Sequence, residues 1–278
     1  MGPPLQEEKD NMKIYMMTDM EGISGVHRVE YTQPEASKYA EGRRLLTGDV
    51  NAAVAGCFDG GATEVVVRDG HMNGGNFLLE EMDERVVMDY NARGQWQGCL
   101  DRSFDAVMIV GQHAMAGTVD GFLDHTQSST TWYEFSINGR AVGEIGQFAC
   151  MAGAFDVPVV MVAGDRAAAE EATQLLGPIE VAAVKYGVGR SVAVCLHPKK
   201  ARTLIHDAAA RAMKLVPTAK PWKPKRPMEV VVRFTRSDHA DEVAFRVGNV
   251  RVDARTIRCK VKDPLRLFDF MMDMRPVR

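Results

Sequence analysis

The sequence has little of what marks several protein classes. No CxxC pair occurs, and the five cysteines (Cys57, Cys99, Cys150, Cys195 and Cys259) are scattered and odd in number. They point away from a disulfide scaffold and towards buried or free thiols of a reducing compartment. No apolar run is long enough for a bilayer span. The first residues, MGPPLQEEKDNMK, lack the basic and apolar regions of a signal peptide, and Pro3, Pro4 and Gln6 fit a myristoylation signal poorly. Positive charge is not in excess: 34 Lys and Arg stand against 37 Asp and Glu, a net charge of −3. Nothing therefore points to nucleic acid or to an anionic membrane as a partner. A GxGxxG turn between strand and helix and a GxSxG elbow are both missing, so dinucleotide binding and serine-hydrolase chemistry have no support. The expectation is a cytoplasmic protein.

What is present suits a globular protein. The 278 residues are 46% hydrophobic and 26% charged, enough for one large domain or a domain with a smaller appendage. Residues 1–12 read as a disordered leader. Residues 13–216 read as a metal-binding α/β domain, 217–227 (PTAKPWKPKRP) as a linker, and 228–278 as a small C-terminal α+β unit. Within the large domain, apolar β-branched runs alternate with helical periodicity. Ile14 to Met17 is a strand. Ala40, Leu45, Leu46, Val50 and Val54 recur at helical spacing up to Gly60-Gly61, and Thr63 to Arg68 is a second strand. This β-α-β unit implies parallel pairing with a right-handed crossover. Short helices are expected over 76–82 and 95–102, and strands over 85–90, 105–110, 157–162 and 180–184. Asn138-Gly139 predicts a type I′ hairpin turn after a strand at 131–137. Asp165 is placed to cap a helix over 166–176. A helix over 198–215 follows, then strands at 228–235 and 255–262 and a terminal helix over 265–274. The fold class is α/β, a mostly parallel sheet flanked by helices.

The chemistry gathers where apolar runs give way to glycine. Lys13 to Gly25, KIYMMTDMEGISG, is the stretch the chain is organised around. In a strand, residues i and i+2 share a face, so Asp19 and Glu21 are expected to project together from a strand end. Two adjacent carboxylates repel unless a proton or a cation lies between them. The next strands deliver His71 (Asp-Gly-His) and His113 (Gly-Gln-His), and Glu144 opens a helix after the hairpin. Each alone has an ordinary reading as a cap, a hydrogen-bonded loop residue or a first-turn carboxylate. Together, two histidines and three carboxylates suit zinc, and also manganese or cobalt. Five ligands exceed one catalytic zinc. Two metals sharing a carboxylate use them all, and can hold a bridging hydroxide while polarising a carbonyl. His125, between Asp124 and a Thr/Ser run, is a candidate general acid/base or oxyanion stabiliser.

These motifs resemble the M55 family of D-aminopeptidases: KIYMMTDMEGISG, the DGH at His71, GQHA at His113, the loop to His125 and NGRAVGEIG around Glu144. DVPVVMVAGD and VKYGVGRSV match further on, and the resemblance covers the chain from Met12, weakening after about Pro217. It implies a two-zinc aminopeptidase acting on the N-terminal residue, a D-amino acid, of short peptides or amino acid amides. It further implies metal ligands at Asp19, Glu21, His71, His113 and Glu144 with Asp19 bridging, a catalytic His125, and a homodecamer of stacked pentamers. The alternatives are another dinuclear hydrolase (amidase or phosphoesterase) or a non-enzymatic, metal-stabilised ring scaffold.

Overall fold

The computed structural model describes residues 11–90 and 96–269. In chain order the elements are β1 (Lys13–Thr18), α1 (Tyr39–Asp59), β2 (Glu64–Asp69), β3 (Val87–Asp89), β4 (Ala106–Gln112), β5 (Trp132–Ile137), β6 (Arg140–Ala141), α2 (Glu144–Ala154), β7 (Val159–Asp165), α3 (Arg166–Leu176), β8 (Glu180–Gly187), β9 (Ala193–Cys195), α4 (Pro198–Ala212), β10 (Met228–Phe234), α5 (Ser237–Ala244), β11 (Val250–Arg251) and β12 (Thr256–Val261). Two sheets result. One has seven strands in the order β3-β2-β1-β4-β7-β8-β9, parallel except for the edge strand β9. The other is antiparallel, in the order β11-β12-β10-β5-β6.

The sequence of β1 explains its central place. Ile14 and Met16 face the cluster built with Leu46, Val50 and Val54 of α1 and Ala201 and Ile205 of α4. Tyr15 and Met17 face Ile145, Phe148 and Ala149 of α2 and Ala168 and Ala172 of α3. Both faces of the strand are covered, which is why it reads as an unbroken apolar run. Helix α2, EIGQFACMAGA, is buried along nearly its whole length for a similar reason. Phe148, Ala149 and Ala152 pack on the first sheet, while Cys150 and Met151 pack on the second. An all-round apolar helix is a helix between two layers.

Several expectations are met closely. Asn138 and Gly139 take φ of 52° and 79°, the left-handed pair that a type I′ turn requires. Asp165 accepts a hydrogen bond from the Ala168 N–H and caps α3. Other expectations are corrected. Residues 76–82 form only a 3-10 turn at Leu79–Glu81, because Arg43 takes the carbonyls of Asn76 and Phe77 that a helix would use. The strand at 85–90 shortens to the edge strand β3, and residues 96–99 form turns rather than a helix. Ala40 is exposed rather than on the buried face of α1. β9, β11 and α5 were not anticipated. Of the terminal helix expected over 265–274, the described residues show a 3-10 turn at Pro264–Arg266 and turns to residue 269; residues 270–274, like leader residues 1–10 and Gln95, lie outside the described residues. The C-terminal strands do not stand alone, since β10 pairs with β5 from the middle of the chain. Among the described residues, no helix is long and apolar enough to cross a membrane.

Candidate metal centre

Three neighbouring strands, β2, β1 and β4, end at the same edge, the carboxyl end of the parallel sheet, where open α/β sheets place their sites. His71 follows β2, Asp19 and Glu21 follow β1, and His113 follows β4. Glu144 is the first residue of α2. The two carboxylates after β1 do not share a strand face, as the alternation rule suggested. β1 stops at Thr18, and a turn then points both towards His71, whose ligand atom lies with theirs inside 4.8 Å.

That turn is pinned by backbone contact with the end of β4. The N–H groups of Asp19 and Gly22 donate to the carbonyls of Val110 and Gly111. A β-carbon on Gly22 would lie 2.1 Å from the Gln112 carbonyl oxygen, and one on Gly111, at φ +84°, would lie 2.0 Å from that of Asp19. Only glycine permits this approach, and the approach brings Asp19 to His113.

Asp19 stands between the two histidines. Its Oδ1 is 3.1 Å from His71 Nδ1 and its Oδ2 is 3.3 Å from His113 Nε2. Glu21 Oε2 is 3.2 Å from His71 Nδ1, and Glu144 Oε1 is 3.5 Å from His113 Nε2. His125 stacks on His113 with ring centroids 3.8 Å apart, and its Nε2 lies 3.8 Å from Glu144 Oε1. The residues form two compact trios, Asp19–Glu21–His71 and His113–His125–Glu144.

The ring nitrogens turned away from the cluster fix the tautomers. His71 Nε2 donates to the Thr32 carbonyl, His113 Nδ1 to that of Ala114, and His125 Nδ1 to that of Leu123. Each carbonyl can only accept, so the opposite nitrogens, which face the cluster, are the ones available to a metal. His113 Nε2 and Glu21 Oε2 are buried and hydrogen-bond to nothing; the Glu21 oxygen is within ion-pair reach of His71 but off-axis. Buried polar atoms are rarely left so. Orphaned donor atoms on a mixed nitrogen and oxygen set fit zinc.

Electrostatics tell the same story. Burial, then the charge of Glu21, push the Asp19 carboxyl up to about 7. Burial opposes charge on Glu144 as well, but His113, His125 and the Gln127 N–H draw it down to about 2. His71 is pushed up to about 12 because Glu21 and Asp19 outweigh its burial, and His113 is raised in the same way by Glu144 and Asp19. Without metal, the neighbouring carboxylates thus favour a proton on each ring, and a ring that holds one must shed it to become a ligand. Zinc added to the metal-free protein near neutrality is expected to release protons, and its apparent affinity to weaken as pH falls. Calorimetry in buffers of different ionisation enthalpy reads the number directly; zinc uptake without proton release would place the ion elsewhere.

Several residues that serve this arrangement were missed in the sequence. Gln112 Nε2 donates to Asp19 Oδ2 (3.1 Å), and the Gln127 N–H to Glu144 Oε1 (2.7 Å). Glu171 of α3 accepts from the N–H groups of Met115 and Gly143, tying the chain after His113 to the residue before Glu144. Lys185, buried in β8, donates to the carbonyls of Glu21 and Val26, both at 2.6 Å, and holds the loop that carries Glu21. In the sequence it stands as a basic residue near a strand end, a candidate for holding phosphate rather than a support for this loop. Arg68, three residues before His71, lines the same cavity, which encloses about 730 Å³ and also meets Trp96 and Phe268.

A buried cluster of imidazoles and carboxylates at the carboxyl edge of a parallel sheet, open to a substrate-sized cavity, is the arrangement of an α/β metal-dependent hydrolase. The chain belongs to the peptidase M55 family of D-aminopeptidases, whose sequence model matches residues 12–272. It is 34% identical over 267 residues to a D-aminopeptidase of Bacillus subtilis (strain 168), with 95% of this chain and 96% of that protein covered. Its fold matches that of a solved structure with a TM-score of 0.90 and 33% identity, over 95% of this chain and 96% of that one. That structure is the Zn-dependent D-aminopeptidase DppA from Bacillus subtilis, a self-compartmentalizing protease.

Proposed function

We propose that the chain is a zinc-dependent aminopeptidase that removes the N-terminal residue, a D-amino acid, from short peptides or amino acid amides. Two zinc ions are held by Asp19, Glu21, His71, His113 and Glu144. The observation that carries this reading is the placement of one carboxylate between two imidazoles, with Asp19 presenting one oxygen to His71 and the other to His113. The zinc-dependent relative supports the choice of metal.

When bound, such a pair supplies an activated water and Lewis acidity towards the scissile carbonyl. The protein supplies position and proton transfer. Asp19 serves both ion positions, with Oδ1 fixed by the Met20 N–H and Oδ2 by Gln112. Glu144 is held by the Gln127 N–H. His125 keeps its Nδ1 proton on the Leu123 carbonyl, so Nε2 is free to accept a proton in the cavity and return it to the leaving amine. Burial, then the neighbouring His113, lower its pKa below the usual 6.5, which keeps that nitrogen unprotonated at neutral pH.

A phosphoesterase is less well served. Lys185 is spent on backbone carbonyls, and Arg190 faces Asp124 at 3.4 Å. The compartment-forming relative supports a ring assembly, which we take as a homodecamer of stacked pentamers in the cytoplasm. The test is elemental analysis beside hydrolysis of paired D-Ala and L-Ala amides and dipeptides, before and after chelation. About two zinc per chain with chelator-sensitive cleavage of the D series is expected. Cleavage of only the L series would discard the stereochemical assignment, and turnover unaffected by chelation would discard the metal mechanism.

A further inference from the structure

Arg68 has no assigned role in the centre, and its surroundings do not explain it. It lies near the end of β2, opposite Met17 on one side and Asp89 on the other. It shares a face with Val66, which packs among Tyr15, Ile145 and Phe148. A charged side chain on such a face is costly unless its donors are met. Arg68 is only 6% exposed, and its Nε is buried with no hydrogen-bond partner. Its ion pair with Asp89 is long, 3.8 Å from Nη1 to Oδ1, beyond hydrogen-bond reach. The other oxygen of Asp89 already accepts from the Tyr15 hydroxyl (2.7 Å) and the Cys99 N–H (2.6 Å). Asp89 thus stands beside the guanidinium without satisfying its Nε. Arg68 lines the cavity of the metal centre, as do Trp96 and Phe268, whose rings meet edge to face with centroids 5.5 Å apart.

We propose that Arg68 is a specificity residue of this site, binding the free α-carboxylate of a short peptide whose amino end is at the metal centre. The inference rests on the aminopeptidase reading above and narrows it: peptides with a free carboxylate one or two residues beyond the cleaved bond are preferred over amino acid amides and over long chains. A guanidinium fork matches a carboxylate in geometry and charge. An extended residue spans about 3.5 Å, so a di- or tripeptide is of the length that one cavity of about 730 Å³ accommodates. Trp96 and Phe268 give the intervening side chain an apolar wall. The other guanidinium lining the cavity, Arg190, is exposed and faces Asp124 at 3.4 Å, so Arg68 is the buried guanidinium left to meet the negative group such a substrate carries.

The test compares D-Ala-Gly with its C-terminal amide on the zinc-loaded full chain, as wild type, Arg68→Gln and Arg68→Lys. Wild type is expected to favour the acid in kcat/KM. Arg68→Gln is expected to lose about 30-fold or more on the acid, mostly through KM, and less than threefold on the amide. Arg68→Lys keeps the charge and is expected to retain part of the preference, which guards against a Gln variant that does not fold. Equal losses on acid and amide would make Arg68 merely structural, and an unchanged acid-to-amide ratio would equally overturn the proposal. If wild type hydrolyses neither compound, the aminopeptidase reading fails by itself. Calorimetric binding of the same pair then decides the subsite: tighter binding of the acid that Arg68→Gln abolishes supports it, and equal binding rejects it.

Discussion

Asp19→Asn is expected to take bound zinc from about two ions per chain to less than one and to lower kcat/KM on the order of a thousandfold, a loss of several kcal/mol of transition-state stabilisation. The reason is the position of a single side chain. Oδ1 faces His71 and Oδ2 faces His113, at 3.1 and 3.3 Å. An Asn has the same shape but no charge and only one oxygen, so it cannot serve both histidines. Glu21 and Glu144 each meet one trio only. Glu21→Gln or Glu144→Gln is therefore expected to leave about one ion bound, which separates a bridging carboxylate from a terminal one. Elemental analysis after gel filtration distinguishes the two outcomes. The Asn variant is also expected to fold: burial and Glu21 hold the Asp19 carboxyl up at about 7, so the metal-free fold does not depend on its negative charge. If Asp19→Asn retained both ions, the shared-carboxylate arrangement would be wrong.

Much of this centre was legible because its residues stand where the period changes. Asp19, His71 and His113 each follow an apolar strand, and a strand buried on both faces has a plain signature. The pairing of Asp19 with Glu21 was legible for the wrong local reason. The two converge through a turn pinned at Gly22 and Gly111, not through the pleat of β1. Residues that work through long-range hydrogen bonds left little trace. Glu171 reads as one more charged residue in α3, yet it joins Met115 to Gly143. Lys185 interrupts an apolar strand, but the carbonyls it meets, Glu21 and Val26, lie far away in sequence. Arg68 reads as the polar end of a strand, and its face becomes visible only once β2 lies between β1 and β3. The second sheet was half visible for the same reason. The β5–β6 hairpin carries its own turn signal at Asn138-Gly139, but nothing local announces that β10 will pair with β5 and so press the second sheet onto α2, whose first residue is Glu144.

His125→Asn tests the division of labour within the second trio. Its Nε2 lies 3.8 Å from Glu144 and its ring stacks on His113, so proximity alone would admit it as a third ligand there. Two features favour a proton carrier. In the proposed ligand set each ion already has a nitrogen donor, and His125 is the histidine of the cluster with the most side-chain exposure, 18% against 6% for His71 and 1% for His113. A group that exchanges protons with substrate must reach the cavity, whereas a ligand need not. The expected result is a fall in kcat of about 10²–10⁴-fold with zinc content unchanged. The pH profile adds a second readout. Below its pKa, His125 is imidazolium and cannot accept a proton, so activity falls on the acid side, with a midpoint under the ordinary histidine value of about 6.5 because burial and His113 lower it. Raising the pH leaves the ring neutral and costs nothing through this group. The variant is expected to lose that acid limb while its residual rate stays flat until the ligands themselves take up protons. Loss of zinc along with activity would instead make His125 a ligand, and the proton would then have to travel by another group in the cavity.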